Sequence, residues 1–567
     1  MNTSEMKNAI RVNMRGFLPN SKKRFVLCEN NTGSDEFTIT LIHGEFVEHT
    51  VIYRGKMTTE YDEFGRSFQV GDFSSVTADG DYYVTAGGVN SRQFVIYKNA
   101  YDICQRMMLE YYTYQRCGHA LGWNGKCHTD DGYIAETGEH IDLSGGYHQS
   151  CDLRKSPGGV SIGVLNMLRF AMNDRSEWGE ILVYDEVKWA CDYFVKLIQN
   201  SGAMYNTMND PFGWSGRIFY KSAAPSSSQW NTTSILALGY SYFKEKDSDR
   251  AEKYLKTAIR SYEYMTSESR PSELYRHPKP AQRGFDPDFC YDLCRKDSTA
   301  DRLYQIMVDC DLYKATGDDK YKEDIKRTLP LVLDKFLTGN LAFLAEETFY
   351  AGGTVGGACN YCWAPAYPMA LVEAYGVVGD VCGLREKIRA AADAMIESAK
   401  LGVWGNVKLF STDADLERKA DMPKPGQPDP TQKEKYKDIL VKVGSENGQD
   451  YYLIRSGNIS VLGNIMGAFL AAASKILSDR KYLDYAQIAL DAMLGVNPED
   501  SSHIRGIGYN HVMHKAFGQF FPSTPFIPGA VQISYKGNSS YSSFAEYDMP
   551  QVGYLMRLID EICKASE

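Results

Sequence analysis

Residues 144–155 read SGGYHQSCDLRK, with twin glycines, a histidine, one carboxylate at Asp152 and two cations in a short span. Upstream, Cys117 precedes the adjacent pair Cys127 and His128, and His148 falls inside the stretch itself. Two thiolates and two imidazoles satisfy a tetrahedral structural zinc, whose closed coordination leaves no catalytic water. The same cysteines would also serve as small buried apolar side chains, and His119 and Cys151 compete as ligands. The pairs Cys290/Cys294 and Cys359/Cys362 lack nearby histidines and read as core.

Carboxylates that perform acid/base work belong on loops at one mouth of a scaffold, where they face a shared cleft. Asp152 stands in such a loop. Near the C-terminus, YSSFAEYDMPQVGYLMRLID places Glu546 and Asp548 just before an amphipathic run, with Pro550 suited to a first helical turn. Taken singly, each acid reads as a helix cap or a solvated side chain. They matter together only if the fold brings the two ends of the helical region into contact.

The elements that must do this are legible. A chain of 567 residues exceeds one ordinary core. RFVLCE, FTITLIHG, FVEHTVIYRGKM, RSFQVGDFS, GDYYVTAGG and SRQFVIYK alternate apolar with polar residues between turns. That pattern predicts a small antiparallel sandwich. From Asn99 onward the period becomes helical. Amphipathic stretches follow at 158–173, 183–200, 232–243, 248–266, 299–315, 320–337, 362–376, 383–400, 458–477 and 480–495, with no convincing strand pattern between them. Paired helices around a closed core suit an α/α barrel, and the Pro-rich 422–438 reads as a surface excursion. No close internal repeat supports a regular solenoid.

A net charge of −10 and a pI near 5.6 argue against nucleic acid, which needs a clustered cationic face. Neutral or cationic small substrates fit better. No apolar run has the length of a membrane span, and the first residues lack a secretory core. Thirteen scattered cysteines read as reduced thiols, so the expected compartment is cytoplasmic.

In this order and spacing, YYTYQRCG, CHTDD, TGEHIDLSGGYHQSCDLRK, YLDYAQIALDAMLGVNP, RGIGYNHVMH and EYDMPQVGYL resemble glycoside hydrolase family nine. The resemblance is to the branch with an immunoglobulin-like domain ahead of a six-hairpin α/α barrel. It implies a multidomain chain: an all-β sandwich over 1–97, then an all-α six-hairpin barrel over 98–567. It also implies zinc held by Cys117, Cys127, His128 and His148, with calcium a further expectation. Asp152 matches the family's general base. In inverting hydrolysis that base activates water while an acid protonates the glycosidic oxygen, the two carboxyls standing roughly 6.5–9.5 Å apart.

Three departures qualify the match. Gln149 replaces a water-holding aspartate: an amide can bond water but brings no charge to raise its neighbour's basicity. The expected acid is Glu546, reached through a four-residue loop deletion, with Asp548 as fallback. His511-Val-Met-His514-Lys515 stands where a His–Arg pair is usual, and a point charge replaces a planar fork. Substrate contacts are expected from His511, His514, Lys515, Asp548 and Trp214, with Trp123, Trp230 and Trp363 as other candidate platforms. The implied activity is release of sugars from the end of short β-linked gluco- or glucosamino-oligosaccharides. Asp130, Asp131 and Glu546 would suit a cationic amino sugar. An endo-β-1,4-glucanase and a non-hydrolytic oligosaccharide-binding protein are the alternatives.

Overall fold

The computed structural model describes residues 8–28, 33–44, 47–120, 126–134, 136–150, 155, 157–173, 179–207, 218–221, 226–271, 296–333, 344, 366–405, 407–417, 431–455, 461–511, 528–531 and 549–567. The first region is a nine-stranded sandwich: β1 (Ile10–Val12), β2 (Gly16–Phe17), β3 (Arg24–Leu27), β4 (Glu36–His43), β5 (Glu48–Tyr61), β6 (Ser67–Asp72), β7 (Gly80–Ala86), β8 (Val89–Asn90) and β9 (Phe94–Ile96). The strand order is β1-β3-β6-β5-β4-β7-β9-β2, with β8 on β7. β5 joins the two layers, because its first half pairs with β4 and its last five residues pair with β6. Alternation sends one side chain in two inward, which gathers Phe17, Phe25, Phe37, Phe73, Tyr82 and Phe94 into one core. Phe17 meets Phe73 and Phe94 edge to face, each at 5.5 Å, the arrangement favoured by the ring quadrupole.

Among the described residues twelve long helices follow: α1 (Asp102–Tyr114), α2 (Pro157–Ala171), α3 (Gly179–Leu197), α4 (Ser226–Phe243), α5 (Ser248–Thr266), α6 (Thr299–Thr316), α7 (Asp319–Leu333), α8 (Ala366–Val378), α9 (Leu384–Ala399), α10 (Val461–Leu477), α11 (Arg480–Met493) and α12 (Met549–Ser566). Their ends carry ordinary stop signals. Asp247 and Ser298 accept the N–H groups of Arg250 and Asp301 at helix starts, and Gly317 ends α6 in the left-handed region.

The even-numbered helices form the inner ring. α2 packs on α4, α4 on α6, α6 on α8, α8 on α10, α10 on α12, and α12 returns to α2. Closure depends on a close approach: a Cβ on Gly163 of α2 would lie 2.4 Å from the Met549 side chain, and one on Gly553 would lie 2.9 Å from Gly163. Each inner helix also sends a side chain to an axial cavity, among them Ile162, Asn231, Tyr304, Met369, Ile465 and Arg557. At the same cavity Glu373 takes Lys314 at 2.6 Å and Arg557 at 2.9 Å, while Arg169 takes Asp311 at 2.7 Å. Burial would raise the Glu373 carboxyl, but Arg169, Lys314 and Arg557 hold it well below its usual range.

The helical region is not free of strands. A hairpin of Leu440–Glu446 against Gln449–Ile454, joined by Ser411–Thr412, and a small sheet of Tyr133–Ile134, Asn206–Thr207 and Ile218–Tyr220 decorate it. These strands correct the expected pattern: those of two or three residues carry no period, and the half-exposed side chains of the hairpin mask its alternation. Among the described residues no helix is long and apolar enough to cross a membrane. No disulfide joins the eight cysteines among the described residues.

Candidate active site and metal cluster

The stretch from Ser144 to Ser150 is stitched to the end of α1. Cys117 N–H donates to Gly146 O at 2.9 Å and His148 N–H to Gln115 O at 2.8 Å, forming a bridge between Arg116 and Tyr147. Gly145 and Gly146 take φ of 94° and 74°, which side chains resist. A Cβ on Gly146 would also strike the Tyr193 ring at 2.6 Å. Beneath the bridge Arg116 grips buried Glu186 with two donors, at 3.2 and 2.8 Å. The Tyr147 hydroxyl adds a third bond to Glu186 at 2.7 Å. Two adjacent segments are thereby held rigid from below.

This framework aims four donors at one point. Sγ of Cys117 and Cys127 and a ring nitrogen from each of His128 and His148 all lie within 4.8 Å of one another. Cys117 and His148 are fully buried, and Cys127 Sγ stands 3.2 Å from His148 Nε2. Nδ1 of His128 is buried without a hydrogen-bond partner, as expected of a group shaped for a ligand. The Cys117 contact, with His128 and His148 behind it, holds the Cys127 thiol far below its usual range, whereas burial pushes Cys117 well up. The donor set fits a soft, tetrahedral cation. His119 is excluded as a competitor: its ring packs edge-on to Trp189 at 4.5 Å, outside the cluster. Cys151 lies outside the described residues.

The far end of the loop is tied by Lys155. Its ammonium donates to Asp131 Oδ2 and Leu143 O, each at 2.8 Å, with both side chains almost fully buried. Burial pushes the Asp131 carboxyl up, opposed by Lys155. Asp131 is therefore not an acid offered to a cationic sugar, because its charge is spent internally. No sequence signal distinguished this pairing from a solvated acid.

Asp152, Glu546 and Asp548 lie outside the described residues, as do Trp214, His514, Lys515, Trp123 and Trp363. Their neighbours are described. Met549, the first residue of α12, donates its N–H to Gln149 O at 2.9 Å. Gln149 itself thus meets the start of the last helix. The Gln149 side chain lies over Gly159 in the first turns of α2, where a Cβ would come within 2.4–2.7 Å of its amide.

His511 sits half-buried, with Nδ1 donating to Ser502 O at 3.2 Å and Nε2 accepting from Gly506 N–H at 3.4 Å. Burial lowers its pKa, with Arg505 adding to the effect. Trp230 is corrected outright. It is only 1% exposed and donates Nε1 to Asp301 at 2.7 Å, so a core contact replaces the expected sugar platform.

A β-sandwich ahead of a closed ring of six helical hairpins, with a metal-type cluster under one loop, defines a two-domain α/α-toroid protein. The model for Glycosyl hydrolase family 9 matches residues 101–517, and that for the Cellulase N-terminal ig-like domain matches residues 5–91. The chain belongs to glycosyl hydrolase family 9. It is 27% identical over 350 residues to a Cellodextrinase of Butyrivibrio fibrisolvens, covering 55% of this chain and 59% of that protein. It is 24% identical over 369 residues to Endoglucanase D of Acetivibrio thermocellus, covering 57% and 54%. The match thus spans little more than half the length of either relative. Among solved structures, a Bacteroides ovatus GH9 protein superposes with a TM-score of 0.67 at 18% identity, covering 99% of both chains. A Zn-binding triple mutant of the family 9 endoglucanase J30 superposes with a TM-score of 0.68 at 17% identity, covering 97% of this chain and 99% of that one. At such identity the likeness establishes a shared fold.

Proposed function

We propose that this protein is a glycosidase that releases sugar from the end of short β-linked gluco-oligosaccharides by single displacement with inversion. The observation that carries the reading is the Gln149–Met549 bond. It joins Gln149, three residues before Asp152 in the sequence, to Met549, which directly follows Asp548 and lies three residues after Glu546. In this reading Asp152 takes a proton from water while Glu546 protonates the leaving oxygen, with Asp548 beside it. The Gln149 amide bonds the water without adding charge. His511, His514, Lys515 and Trp214 hold the sugar. A gluco- rather than glucosamino-substrate is favoured because Asp131 is neutralised by Lys155 and because one relative is named a cellodextrinase.

Cys117, Cys127, His128 and His148 would hold zinc, supported by the donor set and by the existence of a Zn-binding triple mutant of a protein that shares the fold. Zinc there supplies a rigid cross-link and no chemistry on the sugar. The loop's inner side would face the metal and its outer side the substrate.

The test is a panel of β-linked oligosaccharides of increasing length, with products followed by mass. Monosaccharide released from one end supports the reading, whereas internal cuts in soluble polymer favour the endo-β-1,4-glucanase suggested by the endoglucanase relatives. Asp152→Asn and Glu546→Gln should each lower kcat by at least about 10²-fold. A variant near the wild-type rate would remove that residue from its role.

A further inference from the structure

The segment after α11 is gripped from outside the helical ring. Asp500, 2% exposed, accepts three donors on Oδ2: Asn8 N–H at 2.8 Å, Arg92 Nη2 at 2.9 Å and Asn510 Nδ2 at 3.1 Å. Asn8 and Arg92 belong to the β-sandwich region, whereas Asn510 immediately precedes His511. The Arg92 guanidinium also lies over the Tyr509 ring, 4.7 Å from its centroid. Met14, next to the sandwich core, fills the space that glycine leaves at Gly495 and Gly508. A Cβ there would come within 2.7 and 2.9 Å of it, respectively.

Inside the segment, hydrogen bonds tie residues 501–502 to 509–511. Ser501 Oγ donates to Asn510 O at 2.7 Å, Ser502 N–H to Tyr509 O at 3.0 Å, and His511 Nδ1 to Ser502 O at 3.2 Å. Arg92 is therefore connected to His511 by two routes, one through Asp500 and Asn510 and one through Tyr509 and Ser502. Asp500 is a buried anion, and a buried carboxylate keeps its place only while its donors remain.

We propose that Arg92 is a positioning residue for the glycosidase reaction: through Asp500 and Tyr509, the β-sandwich sets the place of the 500–511 segment and hence of His511. The inference rests on the reading in which His511 faces the sugar. The sandwich then contributes to substrate affinity without touching substrate. Loss of the guanidinium releases one bond to Asp500 and uncovers Tyr509, while the other sandwich-to-ring contacts remain. These include Met14 N–H to Leu494 O at 2.7 Å and Lys408 to Glu63 at 2.6 Å.

The full chain carrying Arg92→Met is compared with wild type and with Arg92→Lys, which keeps the charge but loses the planar fork. In Arg92→Met, amide exchange at 502–509 should rise about tenfold while that of Val26 and Val84 stays unchanged. KM for a cello-oligosaccharide should rise several-fold with kcat within about twofold, and Arg92→Lys should recover part of both effects. Unchanged exchange at 502–509 overturns the proposal. So does exchange that rises equally in both domains with a lower Tm, the mark of a contact that only holds the domains together. A wild-type chain that cleaves no oligosaccharide overturns the functional reading, and the exchange experiment still decides whether Arg92 holds the segment.

Discussion

The backbone N–H of Met549 donates to the carbonyl oxygen of Gln149 at 2.9 Å, joining the loop before α2 to the first residue of α12. The bond closes the helical ring at the point where its first and last inner helices meet. Beside it, Gly163 and Gly553 let the two helices approach closely enough to make it.

The Gln149 amide occupies the space that glycine leaves at position 159. Gly159→Ala should fold normally, because only the flexible end of Gln149 must move. Its kcat should fall about tenfold or more as the amide leaves the water. Thermal melting with steady-state kinetics checks both halves, and unchanged kcat would remove Gln149 from water positioning. Gln149→Asp asks the complementary question, whether a restored charge raises the rate.

Elemental analysis should find about one zinc per chain, bound by Cys117, Cys127, His128 and His148. Removal by a strong chelator, or the substitution His148→Ala, should lower Tm by roughly ten degrees or more and loosen the 144–150 loop. A fully folded, metal-free protein with wild-type Tm would show that the four side chains are only core.

Asp131 and Lys155 form a buried pair with almost no solvent access. Asp131→Ala strands the ammonium and should cost about 3–5 kcal/mol in urea unfolding. The double replacement Asp131→Asn with Lys155→Met removes both charges and should cost less than the single one. If the double variant were the worse of the two, the stranded ammonium would not be the reason the single substitution is costly.

Burial raises the Asp491 carboxyl to about 7, against hydrogen bonds from Asn13 and Gln487 and the charges of Arg24 and Lys23. The folded chain therefore keeps a proton that the unfolded chain releases near 3.8. This contribution to stability is complete below that value and lost as pH rises through about 7. Asp491→Asn retains an oxygen for Asn13 and Gln487. It should flatten the decline between about pH 4 and pH 7, most visibly as a gain at pH 8 relative to pH 5. Unfolding curves at the two pH values decide it, and parallel pH dependence in both proteins would count against Asp491.

Much of the architecture was legible because it is written in local periodicity. The stretches 248–266 and 480–495 fall on α5 and α11 almost to the residue, since alternation and the helical repeat record which face is buried. The short strands at Ile10–Val12 and Gly16–Phe17 and the hairpin at 440–454 were not legible. Two or three residues carry no period, and the hairpin's pattern is masked by half-exposed side chains.

By itself the sequence determined the order of domains, the inventory of metal-type donors and the motifs shared with the family, because these depend on residue type and spacing. Tertiary structure alone decided which of those side chains are available. Asp131 and Trp230 looked as exposed in sequence as Asp130 or Trp214, yet packing paired the first with Lys155 and the second with Asp301. Ring closure likewise brought Gln149 to Met549, and packing of the sandwich against the helical region brought Arg92 to Asp500. Such contacts arise from long-range packing, which has no counterpart in the spacing of residues along the chain.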